Sequence, residues 1–404
     1  MRYEYTHLIP ENVAPKGTAR IVVKSGDKEI CSIPASRFCG LTPPNEGFLY
    51  SFGLVSDTHV TSSVSGLYKS DRLEAALRYF SGKGCAFAVN CGDMTNTGLF
   101  DDDKAFNPAQ FAEYKRIRDL FPALPVYNAA GNHEHYNGAL TGKGASIKPD
   151  PALSADTTLP DGTVYPAGTA LLTVYEHYMG HPLTFEVNRG EDVYLFVGQS
   201  INTIPMSDDD LAWLTGKLTE RKGRRCFVFV HSFLDDSWTA VRDDPAQTEA
   251  NKQAEKTDGW DVADSGNPCD ARNNSIFGYW EQFHPAKLTS FLNALRDHGR
   301  AILFHGHSHL TFGAQEYAEN ANYSCQNGFP SVHVPSLGNP RKLLGADGSW
   351  NDTDGSGSPY PAEAYLAEVY GDCVLLGGVS FVGGEAVPVA LGTYWISLQG
   401  VDTP

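Results

Sequence analysis

Five short polar clusters carry side chains that could bind a metal ion or move a proton: Asp57-Thr58-His59, Gly92-Asp93, Gly131-Asn132-His133-Glu134, His231, and Gly306-His307-Ser308-His309. The last sets two imidazoles two positions apart, directly behind the apolar run Ala301 to Phe304. Carboxylates and imidazoles are the ligand types that suit Mn, Fe or Zn. Taken singly, each cluster has a blander reading. Gly-Asp and Gly-Asn-His also serve as turns, because Gly and Asn tolerate unusual backbone angles. A lone histidine such as His231 is more often packed or solvated than a ligand. What changes the reading is that all five occupy the same kind of place.

Each cluster follows a segment that the pattern predicts to be a β-strand. Leu49 to Val55 is an apolar strand ending in the Asp-x-His cluster; Ala86 to Asn90 ends in Gly92-Asp93; Pro125 to Ala129 ends in Gly131-Asn132-His133-Glu134. Between them, Leu73, Leu77 and Phe80 recur at helical spacing behind Ser70, and a second helix is expected from about Pro108 to Phe121. Cys226 to Val230 leads to His231, and a helix from Pro285 to Gly299 leads to Ala301 to Phe304. Alternating strands and helices with polar residues at the strand ends predict an α/β fold with one site at that end.

Other features invite a chemical reading and have a structural one. Asp208, Asp209 and Asp210 look like a metal cluster, yet behind Ser207 they are what a helix start asks for, since its dipole favours carboxylates. The eight cysteines form no CxxC pair, so neither a zinc ribbon nor a dithiol site is indicated. Cys31 and Cys39 form a near pair that could bridge only in an oxidising compartment. His305, His135 and His333 lie close to the clusters and are read as supporting or packing residues.

With 404 residues the chain is long enough for one large unit with appendages, and no apolar run reaches the roughly 18 residues a spanning helix needs. A soluble protein is expected, with no membrane partner. A net charge of −17 repels polyanions, so extended nucleic acid is a poor partner. Met1 to Gly17 shows no basic-then-apolar leader, which makes the cytoplasm the expected compartment.

In their order and composition the five clusters resemble the calcineurin-like metallophosphoesterases, whose pattern runs Asp-x-His, Gly-Asp, Gly-Asn-His-Asp/Glu, His, Gly-His-x-His. The likeness covers about residues 49 to 340, and the Asn-His-Glu and Gly-His-x-His endings also match class III cyclic-nucleotide phosphodiesterases. Purple acid phosphatases add a tyrosinate beside Gly-Asp. Here Met94 and Thr95 stand there, so that subclass is not expected.

The resemblance implies a two-sheet β-sandwich flanked by helices and two metal ions, Mn, Fe or Zn. Asp57, His59, Asp93 and His309 would hold one ion; Asp93, Asn132, His231 and His307 would hold the other, with Asp93 as the bridge. Gly306 is expected to let the backbone turn so that both rings of His307 and His309 reach inward. A hydroxide activated between the ions would attack phosphorus, His133 would donate a proton to the leaving group, and Glu134 would orient His133.

This implies a hydrolase of small phosphomonoesters or phosphodiesters, nucleotide-like ones included. The alternatives are a nuclease acting on DNA or RNA, which the acidic charge disfavours, and a non-catalytic scaffold of the same fold, which a full ligand set disfavours. Three units are expected: a small β-rich extension over 1–48, the catalytic domain over 49–345 and a β-rich segment over 346–404. Substrate choice is assigned to the long polar insertions 136–168 and 235–277; Trp238 and Trp260 in the second, with Tyr279 and Trp280 just beyond it, either stack a base or pack the loop.

Overall fold

The computed structural model describes residues 20–25, 28–34, 47–61, 70–96, 108–135, 152–153, 155–199, 206–234, 276, 280, 284–316, 321–344, 350–353, 356, 359–371 and 373–397. An antiparallel hairpin of β1 (Arg20–Ser25) and β2 (Lys28–Pro34) comes first. Then follow β3 (Phe48–Val55), α1 (Ser70–Gly82), β4 (Ala88–Asn90), α2 (Pro108–Asp119) and β5 (Val126–Asn128). A small hairpin of β6 (Thr157–Thr158) and β7 (Val164–Tyr165) precedes α3 (Leu171–Met179), β8 (Thr184–Arg189) and β9 (Asp192–Val197). Next are α4 (Asp208–Glu220), β10 (Arg225–Phe229), α5 (Pro285–His298) and β11 (Ala301–His305). The remaining strands are β12 (Tyr323–Ser324), β13 (Ser331–His333), β14 (Lys342–Leu343), β15 (Trp350–Asn351), β16 (Ala362–Tyr370), β17 (Cys373–Val382) and β18 (Glu385–Ser397).

Two six-stranded sheets form the body. The first runs β18-β17-β16-β3-β4-β5 and the second β12-β13-β11-β10-β9-β8. The first has a parallel half, β3-β4-β5, extended on one side by antiparallel strands; the second has a parallel centre, β9-β10-β11-β13, with an antiparallel strand at each edge. β16, β17 and β18 extend the first sheet, β16 pairing directly with β3.

Period-two alternation explains the layering. Phe52 and Leu54 of β3, Tyr194 and Phe196 of β9, Phe227 and Phe229 of β10, and Ile302 and Phe304 of β11 all bury into one core between the sheets. Their neighbours Val193, Leu195, Cys226, Val228, Ala301 and Leu303 face the other way and pack under α4 and α5. On the outer face of the first sheet, Val55 meets the buried stripes of α1 and α2, Leu73, Leu77, Phe80, Phe111 and Tyr114. Strands buried on both faces need apolar residues at nearly every position, as these have. In-register rings stack across the second sheet, Tyr194 on Phe227 at 4.7 Å and Phe196 on Phe229 at 4.9 Å, which stiffens the floor beneath its strand ends.

Helix ends follow local chemistry. Ser207 Oγ accepts the Asp210 N–H at 3.1 Å, and Asp208 to Asp210 occupy the first turn of α4, so this acidic run is a helix start. Gly299 ends α5 in the left-handed conformation, φ 76°.

The segment from His135 to Tyr165, expected as a long loop, carries β6 and β7, because Leu153 and Leu159 are buried against the helical layer. Within the β-rich C-terminal segment, Glu385–Ser397 is one continuous strand, β18. Gly392, within it, is there for packing: a Cβ would meet the Phe312 ring at 2.8 Å. Trp280 is fully buried, edge-on to Phe291 at 5.7 Å, so it packs the core and stacks no ligand. Trp238, Trp260 and Tyr279 lie outside the described residues, as do Cys39 and the side chains of Cys31 and His135. Among the described residues no helix is long and apolar enough to cross a membrane.

Candidate metal centre

The parallel strands of both sheets end at the same pole, and the loops after β3, β4, β5, β10 and β11 converge there. Gly306 N–H donates to His231 O at 3.0 Å, and Asp57 N–H to Gly92 O at 2.9 Å, so each loop is braced by its neighbour. One ligand-type atom from each of Asp57, His59, Asp93 and His309 lies within 4.8 Å of the others, and a second group gathers Asp93, His231 and His307. Asn132 Oδ1 joins the second group 3.0 Å from His231 Nε2. The structure thus brings together all seven residues expected as ligands, with Asp93 common to both groups.

Asp93 is placed for sharing. Its Oδ1 accepts the His133 N–H at 2.9 Å, which fixes the carboxylate plane. Its Oδ2 lies 3.2 Å from His231 Nε2 and 3.8 Å from both His59 Nε2 and His133 Nε2. Asp57 is held by the His307 N–H, 3.2 and 3.0 Å from its two oxygens, and by Ser56 Oγ at 2.6 Å.

Backbone acceptors set the imidazoles. His231 Nδ1 is 2.9 Å from Cys91 O and His309 Nδ1 is 3.0 Å from Asn339 O. A carbonyl can only accept, so each Nδ1 carries the proton and each Nε2 faces the site. There His309 Nε2 meets His59 Nε2 at 3.0 Å and Asp57 Oδ1 at 3.1 Å, while His231 Nε2 meets His307 Nδ1 at 3.0 Å. Atoms of ligand type crowd around two points. Protons can satisfy some of these contacts, whereas one cation at each point satisfies all of them, so the donor set fits two metal ions.

Five non-glycine residues among those described have positive φ: Asp57 at 49°, His59 at 45°, Asp93 at 50°, His307 at 70° and His309 at 63°. Every one is an expected ligand. Such conformations cost on the order of 1 to 3 kcal/mol each and persist where the surroundings enforce them.

The turn that the sequence assigned to Gly306 is therefore made by His307 and His309 themselves. Gly306 is needed because a Cβ there would overlap Ser56 Oγ and Asp57 Oδ2. Gly131 is required in the same way, by Asp93 Oδ1.

Electrostatics match the ligand states. Burial works against charge on Asp57 and Asp93, but the surrounding imidazoles outweigh it, holding Asp57 at about 2 and Asp93 well below the carboxylate range. Burial also pushes His133 down to about 4 and His307 down to about 3, keeping both neutral at pH 7. His231 is opposite: burial would lower it, but Asp93 lifts it to about 9, a proton standing where a cation would neutralise that carboxylate.

Glu134 binds the backbone of the site loops. Its carboxylate accepts the N–H of Asp93 at 3.0 Å, Thr95 at 3.1 Å and Gly131 at 2.8 Å, and the Thr95 hydroxyl at 3.2 Å. It ties the loop after β4 to the loop after β5. Burial, and then the charge of Asp93, push its carboxyl up to about 7. His305 and His333 stand behind the site, the first 3.0 Å from Ser331 Oγ and the second 2.7 Å from Ser308 Oγ.

Sequence reasoning missed the loop after β13. Ser336 Oγ donates to Asp57 O at 3.0 Å, and Asn339 O is the acceptor behind His309. Its only sequence signal is the turn-forming run Gly338-Asn339-Pro340.

The calcineurin-like phosphoesterase family model matches residues 50–311. No curated protein matches the sequence. Among solved structures, a dimetal phosphatase from Danio rerio is similar over 87% of this chain and 100% of its own, with 14% identity and a TM-score of 0.46. A conserved uncharacterized protein of Streptococcus pneumoniae TIGR4 covers 86% of this chain and 97% of its own, at 9% identity and TM-score 0.33. Vacuolar Protein Sorting 29 from Cryptosporidium parvum covers 87% and 100%, at 12% identity and TM-score 0.32.

Proposed function

Since the chain belongs to the calcineurin-like phosphoesterase family, we propose that it is a dinuclear metal hydrolase acting on small phosphomonoesters or phosphodiesters, nucleotide-like ones included. The observation that carries this reading is the concentration of backbone strain: the five positive-φ residues Asp57, His59, Asp93, His307 and His309 all belong to one ligand set, buried but for the half-buried His307. Packing alone gives no reason to hold two aspartates and three histidines in this way. A pair of ions gives one.

In this reading Asp57, His59, Asp93 and His309 hold one ion and Asp93, Asn132, His231 and His307 the other, with Mn, Fe or Zn suited to the donors. Two such ions supply Lewis acidity toward a phosphate and an activated water. The chain's own residues do the rest. Asp93 shares its Oδ2 between the two groups, and its Oδ1 fixes the backbone at His133.

His133 Nε2 sits at the rim of this pair, 3.8 Å from Asp93 Oδ2. Neutral in the buried site, its imidazole is drawn toward protonation when a phosphate anion lies beside it, since opposite charge favours the charged form. It then hydrogen-bonds the leaving oxygen and passes it a proton. Glu134 keeps the two loops that carry Asp93 and His133 in register.

The full ligand set supports an enzyme over a scaffold, and the net charge of −17 supports small substrates over DNA or RNA. Metal analysis of the purified protein, followed by assays on an aryl phosphomonoester, an aryl phosphodiester and a cyclic nucleotide, tests the reading. Metal-dependent release of product from at least one of the three is expected. A metal-loaded protein inert toward all three, yet active on DNA, would transfer the reading to the nuclease.

A further inference from the structure

The loop after β13 contacts the candidate centre on one side. The Leu337 N–H donates to Ser56 O and the Gly338 N–H to Asp57 O, both at 2.9 Å, while Ser336 Oγ donates to Asp57 O. Ser336 Oγ also accepts the Asn339 N–H at 2.8 Å, bending the loop so that Asn339 O reaches His309 Nδ1. The Arg341 N–H closes the ring on His309 O at 2.7 Å. A Cβ at Gly338 would overlap Thr58 O, so the loop lies directly on the Asp-x-His backbone.

This loop leaves the second sheet, and the first sheet's outer layer holds it. Arg72, in the first turn of α1, reaches round the strand ends and donates from one guanidinium nitrogen to Gly338 O at 2.9 Å and Leu337 O at 3.2 Å. The other nitrogen reaches Tyr360 O at 3.4 Å, just ahead of β16. These carbonyls lie beyond the end of the ladder, and the charged fork is the group that organises them. Arg72 therefore acts on Asp57 and His309 through the loop. His231, by contrast, takes its backbone acceptor from Cys91, in the loop after β4.

We infer that Arg72 and Ser336 are positioning residues for one metal site alone, that of Asp57, His59, Asp93 and His309, and that they decide whether the centre holds two ions or one. The inference rests on the dinuclear reading above. Preorganised supporting contacts of this kind are worth about 10- to 100-fold in metal affinity.

The test uses the full chain, stripped of metal and titrated with Mn(II), with ions per chain counted by mass spectrometry and affinities read by calorimetry. Wild type is expected to bind two ions. Arg72→Gln is expected to keep one at wild-type affinity and to weaken the other about 10- to 100-fold. Ser336→Ala should shift the same site by less, and Arg72→Lys should recover part of the loss. Thermal unfolding of the metal-free variants separates positioning from general damage; if Arg72→Gln does not fold, Ser336→Ala and Arg72→Lys decide.

Two ions bound at wild-type affinity by the folded variants would overturn the inference, as would equal weakening of both sites. If wild type itself does not bind two ions, the dinuclear reading fails first and this inference with it.

Discussion

The two poles of the sandwich bury polar side chains in opposite ways. At the C-terminal strand ends, two aspartates and three histidines are buried and a fourth, His307, is half-buried, with their ligand atoms facing one another. At the other pole, Tyr50 of β3 meets Asp192 and Tyr194 of β9, and Arg225 of β10 forks onto Asp192 while donating to Gly371 O at 3.1 Å. Arg189 covers the Tyr50 ring, 4.8 Å from its centroid. Both clusters join the two sheets. The second brings its own cation, the Arg225 guanidinium; the first has carboxylates and imidazoles whose geometry calls for cations from outside. A buried charge is tolerable when paired, and the poles differ in where the partner comes from.

Removing the external cations should break only the first pole. Chelation is expected to lower hydrolysis by on the order of 10³-fold or more, with circular dichroism unchanged and activity restored by Mn(II). Breaking the second pole should do the reverse. Arg225→Ala leaves Asp192 buried without its fork, and urea unfolding is expected to show a loss of about 3 to 5 kcal/mol, while the folded fraction still binds two ions.

The poles should also answer pH in opposite directions. In the metal-free chain Asp93 holds a proton on His231 up to about 9. Metal binding at neutral pH must displace it, so calorimetry should show affinity falling about tenfold per unit as pH drops. Burial, then the bond to Asp192, raises Tyr50 far above its ordinary value. The folded chain keeps that proton where the unfolded chain releases it, so this contribution is whole below about pH 10 and declines as pH rises further. Tyr50→Phe, the mildest change, is expected to cost about 1 kcal/mol at pH 7 and to flatten that alkaline slope.

The contrast also explains what could be read beforehand. Ligands at strand ends are legible because chemistry restricts their types and the strands restrict their spacing, so Asp57, His59, Asp93, Asn132, His231, His307 and His309 stand out. The opposite pole is silent in sequence: Tyr50, Asp192 and Arg225 are single residues with ordinary surface roles until the sheets bring them together. The loop at Ser336 to Asn339 is nearly silent too, since its main-chain atoms do most of the work and many sequences could supply them. The contacts of Glu134 are silent as well, because the three backbone N–H groups that claim its oxygens are invisible to a motif.

The central claim is that Asp93 is shared between two ions. Counting Mn(II) per chain in wild type and Asp93→Ala by native mass spectrometry tests it most directly. Two ions in wild type and fewer than one in the variant, with the fold retained, is the expected result. Retention of two ions by Asp93→Ala would contradict it.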